Sequence, residues 1–212
     1  MKSVDELIDR LADEARPVRA RSSRLASLGF STVAALTVLA SAVLLGLRTD
    51  VRALSPSPVI VVAAGLMLLV AASGGFAAIR SARPQVGAPA SGSRWALAAL
   101  FVLPVAAFVG IAADPSRAAG LAPAAGIACL LLGVAAGFAT LLFLFAWQRG
   151  GAPVNPNAAA WLSGLAAGAV GALAVTVECP VNGLAHLGVW HVAAVPLSGL
   201  AARLVLPRFL RW

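Results

Sequence analysis

Charge is scarce in this chain: of its 212 residues, 11% are Asp, Glu, Lys or Arg, while 60% are hydrophobic. A soluble domain carries about 25% charged residues, so a globule solvated mainly by water is excluded. Cysteine is scarcer still. Cys129 and Cys179 are too few for a disulfide framework, and they make no CxxC pattern of the zinc or thioredoxin kind. Ionisable residues are nearly missing from the interiors of the apolar runs, and an intramembrane Asp, Glu, Lys or Arg is what a proton- or ion-coupled pump needs. No Ser-His-Asp set, phosphate loop or nucleophile motif is placed for chemistry, so the chain reads as a non-enzyme. A secretory signal is not expected either, because the first apolar run starts near Ser27 and five acidic residues precede it.

What is present is a succession of six apolar runs, at about 27–47, 57–79, 95–113, 121–147, 158–177 and 184–206. Each is long enough to cross a hydrocarbon core of about 30 Å at about 1.5 Å per residue. The expected fold class is all-α: a polytopic protein of the lipid bilayer, with residues 1–26 as a short head and 27–212 as a six-span domain. The connectors are short, so successive spans are expected to run antiparallel, and no length remains for a second globular domain. The formal net charge of +8 is then first a topology signal. Only Arg48, Arg52 and Arg117 fall on one side, against the other 13 of the 16 basic residues. By the positive-inside rule both termini lie in the cytoplasm. In the fourth and fifth runs, Gly133 with Gly137 and Gly164 with Gly168 have the small-xxx-small spacing that lets helix backbones approach closely.

The head carries its own signal. Ser3 and Glu6 have capping-box spacing, and Val4, Leu7, Ile8, Leu11 and Ala15 recur at helical intervals. The polar face holds Asp5, Glu6, Asp9, Asp13 and Glu14 with Arg10 as the one base, and a basic stretch from Arg16 to Arg24 follows. That stretch suits anionic inner-leaflet lipids better than nucleic acid. An acidic amphipathic helix suits a membrane surface poorly, because surface helices are rich in Lys and Arg. A basic protein partner fits it, with Leu7, Ile8 and Leu11 as anchors in a groove and Asp5, Asp9 and Asp13 steering; packing on the chain's own loops is the competing use.

The outer face collects the remaining polar chemistry. Cys179 sits in the turn-forming run Glu178-Cys179-Pro180-Val181-Asn182-Gly183, Cys129 lies about two turns into the fourth run from the same side, and His186 and His191 open the sixth. The two thiols are candidates for a disulfide, for a thiolate pair on a soft metal ion, or for two small buried hydrophobes. The depth of Cys129 below the surface stands against their meeting. His186 and His191 are five residues apart, which on an α-helix points them to different faces, so they enter as auxiliary ligands or interfacial hydrogen-bonding groups. No other run contributes a histidine to a haem site.

The opening VDELIDRLADEARPV, the six-run layout, a cysteine in the fourth run, ECPVNGLAHLGVWH and the terminal RFLRW together resemble the NrsF family along the whole chain. That family comprises six-span anti-sigma factors that restrain an extracytoplasmic-function sigma factor in proteobacteria. The resemblance implies an inner-membrane protein whose N-terminal segment holds the sigma factor without touching nucleic acid itself. It further implies that Cys129 and Cys179 sense heavy-metal or oxidant stress outside, with no cofactor beyond a regulatory metal ion at the cysteines. Two other classes compete. A small transporter predicts broken helices or mid-membrane charges, with Pro104 and Pro123 as weak hints. A membrane thiol oxidoreductase would use the same cysteines for turnover.

Overall fold

The computed structural model describes residues 4–14, 22–84 and 91–210. Among these, regular structure is helical throughout. Helix α1 spans Val4–Glu14 with every residue exposed. Ser3 and most of the basic stretch after it lie outside the described residues.

The local starts and stops follow from single residues. Helix α2 (Ser23–Leu44) begins four residues ahead of the apolar run because the Ser22 side chain accepts from the Leu25 N–H and caps it. After the short α3 (Thr49–Arg52), helix α4 (Pro58–Ser81) opens on a proline, whose missing N–H costs nothing in a first turn. Helix α7 (Pro123–Ala136) opens the same way and steps at Gly137 into α8 (Phe138–Arg149). Helix α9 (Pro156–Thr176) is capped by Asn155, which accepts from the Ala158 N–H at 3.0 Å. The last segment runs through α10 (Leu184–His186), a π-helical turn over Leu187–His191 and α11 (Val192–Val205).

Among the described residues, five helical stretches have the length and apolar composition to cross a membrane: Ser23–Leu44, Pro58–Ser81, Pro123–Arg149, Pro156–Thr176 and Leu184–Phe209. The third expected span departs from this pattern. It divides into α5 (Ser91–Leu100) and α6 (Val102–Ala113), and its apolar stretch, Leu97–Ala113, is shorter than the others. Pro104 accounts for the break, because it has no N–H for the Leu100 carbonyl and its ring crowds that carbonyl.

Hydrogen bonds between connectors sort the two ends of the bundle. At one end the Arg48 N–H donates to the Val177 carbonyl, and Gly120 lies against Ala185 and His186. At the other, the Ala152 N–H donates to the Ala82 carbonyl at 2.7 Å and Arg83 reaches Ser23 at the start of α2. Phe209 stacks edge-on against Phe145 near the end of α8, so the chain enters and leaves the bundle at this second end. The α5–α6 segment runs from the second end to the first.

Helix α9 is the centre, 83% buried in its apolar window against 6% for the peripheral α2. Its Ala- and Gly-rich sequence makes this feasible, because close backbone approach, rather than escape from water, drives association in lipid. A methyl added at Gly171 would lie 1.8 Å from the Gly133 carbonyl oxygen, and one at Gly137 would lie 2.3 Å from that of Ala167. Gly164 and Gly168 press instead on α11, where a methyl would meet the Ser198 and Ala194 oxygens at 2.4 and 2.6 Å. The two glycine pairs therefore serve two different interfaces of α9.

Candidate functional site

The first end of the bundle brings the two cysteines together. After α9 the backbone makes one more turn, with the Cys179 N–H donating to the Val175 carbonyl at 2.9 Å. This keeps Cys179 packed beneath the surface, 4% exposed, instead of out in the connector. Its Sγ lies 3.6 Å from Sγ of Cys129 on α7, so the depth of Cys129 is no obstacle; both thiols are free.

The histidines join them for a reason that the α-helical period conceals. The π turn Leu187–His191 closes i to i+5 bonds, so residues five apart stack on one face. The expectation that His186 and His191 point apart is therefore corrected: their ring centroids are 5.2 Å from each other, and each residue is 1% exposed. Nε2 of His186 is 3.6 Å from Sγ of Cys179, and the His186 backbone lies against Gly120. One donor atom from each of Cys129, Cys179, His186 and His191 falls within 4.8 Å of the others. These are the residues able to hold a metal ion, and the sulfurs are also close enough to oxidise to a disulfide after a small approach.

Two further residues shape the site that sequence reasoning did not single out. Thr176 donates its hydroxyl to the Ala172 carbonyl at 2.7 Å and meets Nδ1 of His191 at 2.9 Å. With its proton committed to Ala172, the Thr176 oxygen accepts from Nδ1–H, which leaves the lone pair on Nε2. That Nε2 is buried without a partner among the described residues, a condition that costs about 1–3 kcal/mol when nothing compensates it. Arg48, only 5% exposed, donates Nη1 to the Cys179 carbonyl at 2.7 Å and Nε to Asp50. An arginine at the start of the connector after the first apolar run was the one signal available in the sequence, and an arginine there reads first as a topology charge.

Electrostatics around the site follow from these contacts. The Arg48 guanidinium holds the Asp50 carboxyl below the usual carboxylate range, helped by the Ser57 and Val51 N–H groups. Burial instead pushes the Glu178 carboxyl, beside Cys179, up to about 7. Trp190 packs over Gly126 so closely that a methyl there would sit 2.0 Å from the indole.

The candidate head residues lie elsewhere. Leu7, Ile8 and Leu11 of α1 are 55%, 56% and 57% exposed, so their apolar surface is uncovered. Asp5, Asp9 and Asp13 are exposed on the same helix, where Arg10 pairs with Glu14 at 2.9 Å.

Apolar helices of membrane-crossing length around a thiol–imidazole cluster define a helical membrane protein with its cysteines and histidines gathered near one end. Within that class the chain belongs to the NrsF family, described as negative regulator of sigma F, whose family model matches residues 11–212. It is also similar to the probable anti-sigma-F factor NrsF of Azospira oryzae (strain ATCC BAA-33 / DSM 13638 / PS), with 28% identity over 210 residues, covering 98% of this chain and 99% of that relative. No solved structure matches it. Family membership makes the chain an anti-sigma factor with a sigma factor as partner, and the family is regulatory, not enzymatic.

Proposed function

We propose that this chain is a six-span anti-sigma factor of the bacterial inner membrane. It holds an extracytoplasmic-function sigma factor on its cytoplasmic side and releases it when stress acts on Cys129 and Cys179. The observation that carries the reading is the 3.6 Å approach of the two thiols from separate transmembrane segments at the end of the bundle opposite the head.

The topology is supported by the connectors. The α5–α6 segment has 10 and 12 residues in its two helices, which at about 1.5 Å per residue spans a bilayer core when taken together. Arg48, Arg52 and Arg117 lie at the thiol end, and the arginine-rich connectors lie at the end where the chain enters and leaves. With the positive-inside rule, this arrangement supports a head in the cytoplasm and thiols outside.

The partner side rests on α1. An exposed apolar ridge of Leu7, Ile8 and Leu11 flanked by Asp5, Asp9 and Asp13 suits a basic groove on the sigma factor. Signal transfer has a direct path, because Arg48 ties the Cys179 turn to the connector after α2, and α2 leads back to the head. A swing from 1:99 to 99:1 between holding and releasing states needs about 5.5 kcal/mol. Heavy metals would act by replacing the thiol protons. Oxidants would remove two electrons as two thiols lose two protons and join.

The test is capture from detergent-solubilised membranes using the full chain and a version lacking residues 1–26, with mass spectrometry of the bound proteins. A sigma factor seen with the full chain alone supports the reading, and absence from both refutes it. Release by metal or oxidant in the parent, lost in Cys129→Ser and Cys179→Ser, tests the sensing half.

A further inference from the structure

We infer that Cys129, Cys179, His186 and His191 form one complete four-ligand site for a borderline-to-soft divalent cation of the zinc type, with Thr176 as a positioning residue. The inference deepens the sensing reading, since it uses the same thiol pair, but it does not depend on what the head binds.

Two of the six donor–donor distances already match a tetrahedral site before any ion is placed. Two thiolates at about 2.3 Å from a zinc ion stand about 3.8 Å apart, and a thiolate and an imidazole nitrogen about 3.6 Å. The structure has 3.6 Å between the sulfurs and 3.6 Å between Sγ of Cys179 and Nε2 of His186. All four donors lie within 4.8 Å of one another, so the site closes with small side-chain movements.

A ligand is also indicated independently of the cluster. Nε2 of His191 is buried at 1% residue exposure, has no partner among the described residues and carries the lone pair, because Thr176 takes the proton side of the ring. Metal-bound histidines characteristically anchor the other ring nitrogen in this way. His186 presents its Nε2 directly to the Cys179 sulfur. The π turn that costs the helix its regular ladder is what aligns the two rings.

Charge balances as well. Each thiol gives its proton to solvent as its sulfur binds, so one M2+ enters and two H+ leave. The filled site is neutral in a buried place. Arg48 beside it is already neutralised by Asp50. A cavity of 570 Å³ lined by Ser116, Arg117, Gly120, Gly183 and Ala185 opens on the connector side, next to the residue that precedes His186.

The experiment uses the purified full chain in detergent, reduced and metal-free, titrated with Co2+ and then with Zn2+. One equivalent of Co2+ with the visible bands of a tetrahedral S2N2 centre, displaced by Zn2+, is expected. X-ray absorption of the zinc form should count two sulfurs and two nitrogens. His186→Ala and His191→Ala should each weaken Co2+ binding more than 10-fold and change the spectrum. Thr176→Val should weaken it about 10-fold with the spectral shape kept, the usual size of an outer-shell effect. No Co2+ uptake by the parent, or a zinc form with sulfur but no nitrogen ligands, overturns the four-ligand site whether or not the variants fold. Sigma-factor capture by the same preparation is measured alongside. Capture without metal uptake ends the metal inference and leaves the regulatory reading standing, whereas failure of capture strikes that reading alone.

Discussion

Replacing Arg48 by Met tests whether the thiol turn is clamped to the connector after α2. Methionine keeps much of the buried stem but loses the donor to the Cys179 carbonyl at 2.7 Å and the pairing with Asp50. A hydrogen bond from a charged donor is worth about 1.5–3 kcal/mol, which corresponds to a rise of about 10- to 150-fold in the population with the turn open. If opening is fast relative to modification, alkylation of Cys179 by a maleimide should accelerate by the same factor. Arg48→Lys should fall between, because an ammonium cannot reproduce both directed bonds of the guanidinium. Acid should loosen the same clamp, read as a lower melting temperature because maleimide attack needs the thiolate. The Asp50 pKa is depressed in the fold, so its pairing stabilises above the ordinary value of 3.8, and that contribution fades as pH falls through the depressed value. An alkylation rate within twofold of the parent in Arg48→Met, with an unchanged melting temperature, would refute the clamp.

Other expectations follow from the packing and the head. Gly171→Val should force α7 away from α9, since even one methyl would meet the Gly133 oxygen at 1.8 Å; a loss of about 1–3 kcal/mol is expected, read as a lower temperature of aggregation in detergent. Mild oxidation should join Cys129 and Cys179 within one chain, shown by protection of both from alkylation and reversal by a reductant; only chain-to-chain disulfides would contradict the 3.6 Å approach. Leu7→Asp with Leu11→Asp should free the sigma factor without stress, and an unchanged pull-down would dismiss α1 as the docking element. Gly126→Ala should displace the Trp190 indole, seen as a shifted fluorescence maximum relative to the parent.

Much of the architecture was legible from composition and spacing. Apolar run length is set by bilayer thickness, and arginine asymmetry by the cost of moving charge across it, so five long apolar helices could be located to within a few residues. The exception, 95–113, turned on Pro104, whose effect on a helix depends on whether neighbours support the break. The glycine pairs announced close packing but not their partners: Gly133 and Gly137 meet α9, whereas Gly164 and Gly168 meet α11.

The sequence by itself determined that Cys129, Cys179, His186 and His191 lie toward the same side of a helical membrane protein, because alternation of spans is a one-dimensional property. Whether they touch was decided by tertiary structure. The extra turn after α9 drew Cys179 inward, and the π turn changed the angular step along the last helix so that two histidines five residues apart share a face. Thr176 and Arg48 acquired their roles only through partners 15 and 131 residues away. Periodicity fixes which residues lie along one face of a regular helix, but a local departure from that period, and the packing that sustains it, belongs to the folded bundle.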